Sequence, residues 1–153
     1  MALKSILVVC RGNICRSPMA EGFLIHHLKN NQSPTVVSSA GISALVNSPA
    51  DAHAHKVMEK HGIDISNHRA RQLDNTLVRN HELILVMSKS QLNSLNRQFL
   101  SARGKTFLLG HWSGFEIEDP YTLPFEAFEN TYQKIDAAWN DWKTRILSCQ
   151  TSV

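Results

Sequence analysis

The stretch Ile6-Leu7-Val8-Val9-Cys10-Arg11-Gly12-Asn13-Ile14-Cys15-Arg16-Ser17-Pro18 constrains this chain more than any other. An apolar, β-branched run stops at a cysteine, and a few residues later a serine and a proline open a helical pattern: strand, loop, helix N-terminus. Such a turn binds anions, because loop N–H groups converge on one point and the helix dipole adds about half a positive charge there. Five residues separate Cys10 from Arg16. A loop of that length, curled around a tetrahedral oxyanion, sets a thiolate beneath the central atom and a guanidinium fork across two of its oxygens. Cysteines at helix N-termini or beside arginine ionise at about 3.5 to 7.5, against about 8.5 for a free thiol, which makes Cys10 a candidate nucleophile. Gly12 suits positive φ or close approach to a ligand, and Asn13 tolerates the left-handed region while offering an amide to brace the loop. Ser17 can cap the helix and Pro18 fits its first turn. The plain alternative is a buried strand-end cysteine and a surface arginine. A nucleotide-binding loop is excluded, since neither its lysine nor its spacing is present.

The wider chain reads as alternating strands and helices. Apolar positions Ala20, Phe23, Leu24, His27 and Leu28 give a helix from Ser17 to about Lys29, ended by Asn30-Asn31-Gln32-Ser33-Pro34. Thr35–Ser39 reads as a second strand, and Ser48-Pro49-Ala50-Asp51 starts a helix running to about Lys60. Leu83–Met87 is a continuous apolar run suited to a strand buried on both faces, and Lys105–Leu109 is a fourth. A last helix is expected from about Phe125 to Leu147, its stripe of Phe125, Phe128, Tyr132, Ile135, Trp139, Trp142 and Ile146 serving as core and not as a cofactor box. The implied fold is α/β: a single-domain, three-layer sandwich over residues 1–153 with a four-stranded parallel sheet and the phosphate loop after its first strand. Ligands in such sheets bind beyond the carboxyl ends of the strands, where Cys10 stands.

Composition narrows the function classes. A net charge of +3 without a long basic block does not indicate nucleic-acid binding, yet it is compatible with a phosphate dianion or an acidic peptide. No run approaches a membrane span and no secretory signal opens the chain, so a cytoplasmic protein is expected. Three cysteines, two of them in one loop, suit reduced thiols with a chemical role and not a disulfide framework. Cys149 reads as incidental. Hydrolysis of a phosphomonoester through Cys10 also needs an acid for the leaving oxygen, and Asp119, held beside Pro120, is the candidate; Glu116 and Glu118 compete, and an ordinary Asp-Pro turn is the bland reading.

The run V-C-R-G-N-I-C-R-S-P-M-A-E resembles the signature of the low-molecular-weight protein tyrosine phosphatases. Ser39-Ala40-Gly41, His68-Arg69-Ala70-Arg71-Gln72 and Asp119-Pro120-Tyr121 follow in that family's order, and the detail resembles bacterial members that partner tyrosine autokinases of polysaccharide export. The resemblance implies Cys10 as nucleophile, Arg16 as phosphate clamp, and Asp119 as general acid and then base. Ser17 would support the thiolate, and Asn13, Ser39 and His68 would form a buried network holding the loop. Substrate would meet Arg11, Gly12, Asn13, Ile14, Cys15, Ser17, Leu45 and Tyr121, with phosphotyrosine in a protein as substrate and no metal or cofactor. This chain departs from the family at Leu45, often aromatic, at Thr122, often aromatic or glycine, and at Arg11, apolar in animal members. An arsenate reductase on the same fold is the rival enzyme, but it needs two further cysteines after the third strand and residues 81–104 contain none. A catalytically silent phosphate-binding module is the rival of another class. Cys15 reads either as a redox partner for Cys10 or as a small residue filling the loop.

Overall fold

The structure, a computed structural model, describes residues 3–151 and side chains as far as Ser148; the Cys149 side chain lies outside the described residues. Strand β1 (Ser5–Cys10) leads through the loop into helix α1 (Arg16–Asn30), and β2 (Val36–Gly41) and α2 (Ala52–Lys60) follow. Then come α3 (Asn75–Arg79), β3 (Leu83–Val86), α4 (Lys89–Gln98), a 3₁₀ turn at Leu100–Ala102, β4 (Thr106–Leu108) and the long α5 (Phe125–Thr151). The four strands are all parallel, in the order β2-β1-β3-β4.

The central strand explains the layers. Successive side chains of a strand face opposite ways, and β1 is apolar and buried at every one of them from Ile6 to Cys10. Ile6 and Val8 join a core with Met19, Phe23 and Leu24 of α1, Val57 and Met58 of α2, and the stripe of α5. Leu7 and Val9 enter a smaller core with Val78 of α3 and Leu95 of α4. Both faces of the sheet are therefore covered, as an all-parallel sheet requires. The α5 stripe is core as expected: Phe128, Tyr132, Ile135, Trp139, Trp142 and Ile146 are buried. The Trp142 indole also donates to the Leu109 carbonyl at 2.7 Å. No described helix is long and apolar enough to cross a membrane.

Several boundaries differ from the sequence reading. Strand β2 runs from Val36 to Gly41, because its pairing with β1 carries it to the point opposite Cys10. Helix α2 starts at Ala52, where the Asp51 carboxylate caps the His53 N–H at 2.9 Å, and not at Ser48. Helices α3 and α4 were not expected. The first has five residues, and the second buries only Gln91 and Leu95 of its ten, so neither shows an apolar period. Ser17 does not cap α1: the N-cap is Cys15, with no side-chain cap bond, which frees the Ser17 hydroxyl for the loop.

His27 occupies a core-spaced position of α1. Its ring lies 4.2 Å from that of Phe23 and 5.8 Å from that of Trp139, centroid to centroid. Burial first, then the neighbouring His26, lowers its pKa below 6.5. A depressed folded-state value means that the unfolded chain binds the extra proton first. Stability at His27 is then complete above about 6.5 and falls as pH drops toward the folded value. His27→Leu should therefore flatten the loss of stability between about pH 7 and pH 5, read as urea midpoints across that range; parallel curves for the two proteins would show that His27 contributes no linkage.

Candidate active site

The loop between β1 and α1 is shaped by bonds on its outer side. The carbonyls of Cys10, Arg11 and Gly12 accept the N–H groups of Ile42, Ser43 and Leu45 at 2.9–3.1 Å. The Ile14 carbonyl accepts the Asp51 N–H at 2.8 Å, and the Asn13 carbonyl accepts His68 Nε2 at 2.6 Å, a bond that sets the His68 tautomer with its proton on Nε2. In a trans peptide the N–H opposes the C=O. Five carbonyls tied outward therefore turn the five following N–H groups, from Arg11 to Cys15, toward the inside of the loop. Gly41 makes room for this. A Cβ there would lie 2.7 Å from the Arg11 carbonyl oxygen, so the end of β2 and the loop approach as only glycine allows.

Asn13 is the residue that bends the loop. Its φ is +60°; of the two residues expected to suit the left-handed region, Asn13 takes it and Gly12 has no positive φ. Asparagine is among the few residues that enter this region readily. Its amide is wholly buried and fully used: Nδ2 donates to Ser17 Oγ at 2.7 Å and to Ser39 Oγ at 3.0 Å, while Oδ1 accepts the Arg71 N–H at 2.9 Å. Ser17 Oγ lies 2.9 Å from Cys10 Sγ. A thiolate at Cys10 has no proton to give, so in that state the Ser17 hydroxyl donates to the sulfur while accepting from Asn13. Ser39 in turn donates to Glu21 Oε1 at 2.6 Å, and His68 Nδ1 lies 3.8 Å from the same oxygen. Asn13, Ser39 and His68 thus meet in one network. Glu21 and Arg71 belong to it too, although no sequence feature singled them out beyond their place in the two quoted motifs.

Cys10 and Arg16 are both buried. Together with Arg11, Gly12, Ile14, Cys15, Ser43, Leu45, Asp119 and Tyr121 they line a pocket of about 290 Å³. The expected residues Asn13 and Ser17 stand behind its wall and do not line it; Ser43 does line it and was not expected. Arg16 spans the floor. Its NH1 donates to the Ile117 carbonyl at 3.0 Å, NH2 lies 3.6 Å from Asp119 Oδ2, and Nε is buried with no protein partner. An unmet buried donor costs about 1–3 kcal/mol, so an oxyanion at this point would supply the acceptor that Arg16 lacks.

Asp119 sits across the pocket on an exposed turn. Its Oδ1 accepts the Tyr121 N–H at 3.1 Å, a local Asx turn that aims the carboxylate inward. Neither competing acid lines the pocket. Glu116 is engaged elsewhere, accepting the Lys89 N–H at 2.6 Å at the start of α4. Ile14, Leu45 and Tyr121 supply apolar walls, the last two half-exposed at the mouth. Cys15 is buried beside Cys10; burial first, then the Asp51 and Asp119 carboxylates, pushes its thiol well above the usual range and keeps it protonated. The arrangement can grip a phosphate, attack it with sulfur and deliver a proton from the opposite side.

Comparison with known proteins agrees with the geometry. The family model for low molecular weight phosphotyrosine protein phosphatase matches residues 5–150. The low molecular weight protein-tyrosine-phosphatase Ptp of Acinetobacter johnsonii is 44% identical over 146 residues, covering 95% of this chain and 100% of its own. A probable low molecular weight protein-tyrosine-phosphatase, EpsP of Ralstonia solanacearum, is 46% identical over 144 residues, covering 94% and 97%. Among solved structures, Vibrio vulnificus Wzb in complex with benzylphosphonate superposes with a TM-score of 0.88 at 42% identity, covering 94% of this chain and 99% of that one. With signature, fold and pocket in agreement, this chain belongs to the low molecular weight phosphotyrosine protein phosphatases.

Proposed function

We propose that the chain hydrolyses phosphotyrosine in proteins through a phosphocysteine intermediate, with Cys10 as nucleophile, Arg16 as phosphate clamp and Asp119 as general acid and base. The observation that carries this reading is the buried, unpartnered Nε of Arg16 in a pocket that also holds the Cys10 thiol and the Asp119 carboxylate. Five inward N–H groups and the guanidinium would bind the phosphate oxygens. The Cys10 thiolate attacks phosphorus, an S–P bond forms, and the P–O bond to the ring breaks as Asp119 gives its proton to the phenolic oxygen. Asp119 then takes a proton from water, whose oxygen attacks phosphorus; the S–P bond breaks, and the sulfur leaves as thiolate toward the Ser17 hydroxyl 2.9 Å away.

The walls favour an aromatic substrate. Ile14, Leu45 and Tyr121 offer apolar surface to a phenyl ring, and the related Wzb structure holds benzylphosphonate. Arg11, exposed at the mouth, would favour an acidic neighbour of the phosphotyrosine. The natural substrate is proposed to be a bacterial tyrosine autokinase controlling exopolysaccharide or capsule, met in the cytoplasm by a single-domain enzyme spanning residues 1–153. The likeness to the polysaccharide-export members supports this partner.

Cys10→Ser should abolish turnover of p-nitrophenyl phosphate while inorganic phosphate still binds, as read by calorimetry; residual turnover near wild type would sink the assignment. Arg16→Lys should lose on the order of 3 kcal/mol or more of transition-state stabilisation, since a point charge cannot replace the planar fork. Asp119→Asn should slow hydrolysis of phosphotyrosine by about 10²- to 10⁴-fold and act less on an activated aryl ester. Equal losses on both substrates would make Asp119 structural.

The loop predicts a separable pair of effects at Asn13. Asn13→Gly keeps the left-handed backbone and loses the three amide bonds, whereas Asn13→Ala loses both. Each bond contributes about 1 kcal/mol and the left-handed strain about 1 kcal/mol more. Thermal melts and kcat together should rank wild type above Gly above Ala, and Ala equal to Gly would show that φ at Asn13 is immaterial.

Cys15 would serve as the thiol that captures a Cys10 oxidised by peroxide to the sulfenic acid: the S–S bond forms as the S–O bond breaks, and the Cys15 proton leaves with that oxygen as water. Wild type treated with peroxide and then a thiol reductant should recover most of its activity, and Cys15→Ser much less. Equal recovery would leave Cys15 a packing residue.

A further inference from the structure

A second concavity, larger than the catalytic pocket, runs along the outer edge of the sheet. A cavity of about 640 Å³ lies between α1 and the segment 62–71, touching β2 at Ser39, and one of about 530 Å³ lies between α1 and the start of β2; they share Ile25 and Lys29 and so adjoin as one groove. It runs from Arg69 and Arg71 at one end to Val36 at the other. At its Val36 end the groove meets the outer edge of β2. Among the described strands β2 pairs with β1 alone, and on its outer side Gly41 bridges Gln72, so the unpaired part of the edge lies at Val37, before Ser39. Backbone groups of a strand point alternately to its two sides, and three bonds set the phase: Val36 N–H donates inward to the Lys4 carbonyl, whereas Gly41 N–H and the Ser39 carbonyl bond outward to the Arg71 carbonyl and Arg71 Nε. Val37 is in phase with Ser39 and Gly41, so both its N–H and its C=O face the groove.

An exposed strand edge is a ready template for another chain. Two features indicate what chain would fit. Ile25 and Val36 are exposed, at 46% and 61%, and offer apolar contacts on either side of the edge. The charge left over in the groove is positive. Its lining holds three basic side chains, Lys29, Arg69 and Arg71, against two carboxylates, Glu21 and Asp64, which are hydrogen-bonded to the Ser39 hydroxyl and the Ser66 N–H. Among the described residues no carboxylate pairs with Lys29, Arg69 or Arg71.

We propose that this groove docks an extended, acidic segment of a protein partner, added as a short parallel or antiparallel strand at Val37, with its carboxylates on Lys29 and Arg69 and an apolar side chain against Ile25 and Val36. Such strand addition takes affinity from main-chain hydrogen bonds and selectivity from side chains at alternate positions. The site lies outside the catalytic pocket, so it would recruit a substrate protein without taking part in the chemistry.

The test uses the full chain, with the catalytic pocket saturated by inorganic phosphate, and the capped peptide acetyl-Glu-Val-Glu-Val-Glu-amide as probe. Titration followed by NMR should give saturable shifts at the Val37 amide and the Ile25 methyls, and hydrogen exchange at the Val37 N–H should slow when peptide is bound. Lys29→Glu with Arg69→Glu should weaken binding at least tenfold while turnover of p-nitrophenyl phosphate stays at wild-type level, which shows that the variant is folded. The analogue with lysine in place of each glutamate should not bind. Absence of saturable shifts at Val37, equal binding of the lysine peptide, or shifts confined to the phosphate loop would overturn the proposal. So would protection of Val37 that rises with protein concentration alone, because a second copy would then be the occupant.

Discussion

Everything in the catalytic pocket depends on one strained asparagine. Asn13 takes a left-handed backbone at φ +60° with its side chain wholly buried, two costs that a chain tolerates only when the surroundings over-determine them. They do so here by using every polar atom of the residue except its N–H, which faces the inside of the loop. Its amide holds Ser17, Ser39 and the Arg71 backbone, and its carbonyl holds His68. Buried networks of this kind rigidify a site when they are complete and cost dearly when they are not. This one is complete, and it also has a direction. Asn13 donates to Ser17, and the Ser17 hydroxyl can in turn donate to a thiolate at Cys10, so a backbone bend places a donor beside the proposed nucleophile.

The sheet supplies the partners for that bend. Because β1, β2 and β3 are parallel, their carboxyl ends lie together, and each sends a different segment to the loop. The end of β2 brings Gly41, Ile42 and Ser43 against its outer carbonyls. The segment before α3 brings His68 and Arg71. The end of β3 acts at one remove: Met87 accepts the Ile117 N–H at 3.0 Å, and the Ile117 carbonyl receives Arg16 NH1. A parallel arrangement thus converts distant stretches of chain into neighbours of one anion.

How much of this could be read in advance followed from how local each signal is. The spacing of Cys10 to Arg16, the apolar runs and the α5 stripe are set by neighbours in sequence, and they stand where the reading put them. Propensity alone left Gly12 and Asn13 both open for the left-handed position; Asn13 takes it because its amide has three buried partners there, a tertiary fact. Ser17 looked like a cap for the same reason, since a serine before a proline usually is one, and here a sulfur claims its hydroxyl. Helices α3 and α4 lack an apolar period but do carry caps, with the Asp74 carboxylate accepting the Leu77 N–H and the Ser88 hydroxyl the Gln91 N–H. Ser88 with Gln91 three residues on is a capping-box pattern, so α4 was legible through its start and not through its face. Glu21 and Arg71 act through contacts 18 and 58 residues away in sequence, with Ser39 and Asn13, and no local pattern encodes those.

The contact between Arg16 and Asp119 bears on how acid and clamp can share one pocket. A carboxylate bound firmly to the clamp could neither carry a proton nor leave the guanidinium free for phosphate. The pair is 3.6 Å apart with the Asp119 side chain 43% exposed, and exposed pairs of that geometry contribute at most about 1 kcal/mol. Phosphate offers Arg16 a bidentate, charge-assisted partner, roughly twice as strong as a neutral hydrogen bond, so oxyanion binding outcompetes the carboxylate. The Asp119 turn nevertheless stays in place when that happens, because its anchors are backbone bonds: Ile117 to Met87 on one side, and the Asp119–Tyr121 Asx turn on the other. The carboxyl group is therefore held over the pocket by its main chain and free of a firm ion pair, so nothing in the pocket stops it from carrying the proton that the proposed general acid must give to the leaving oxygen.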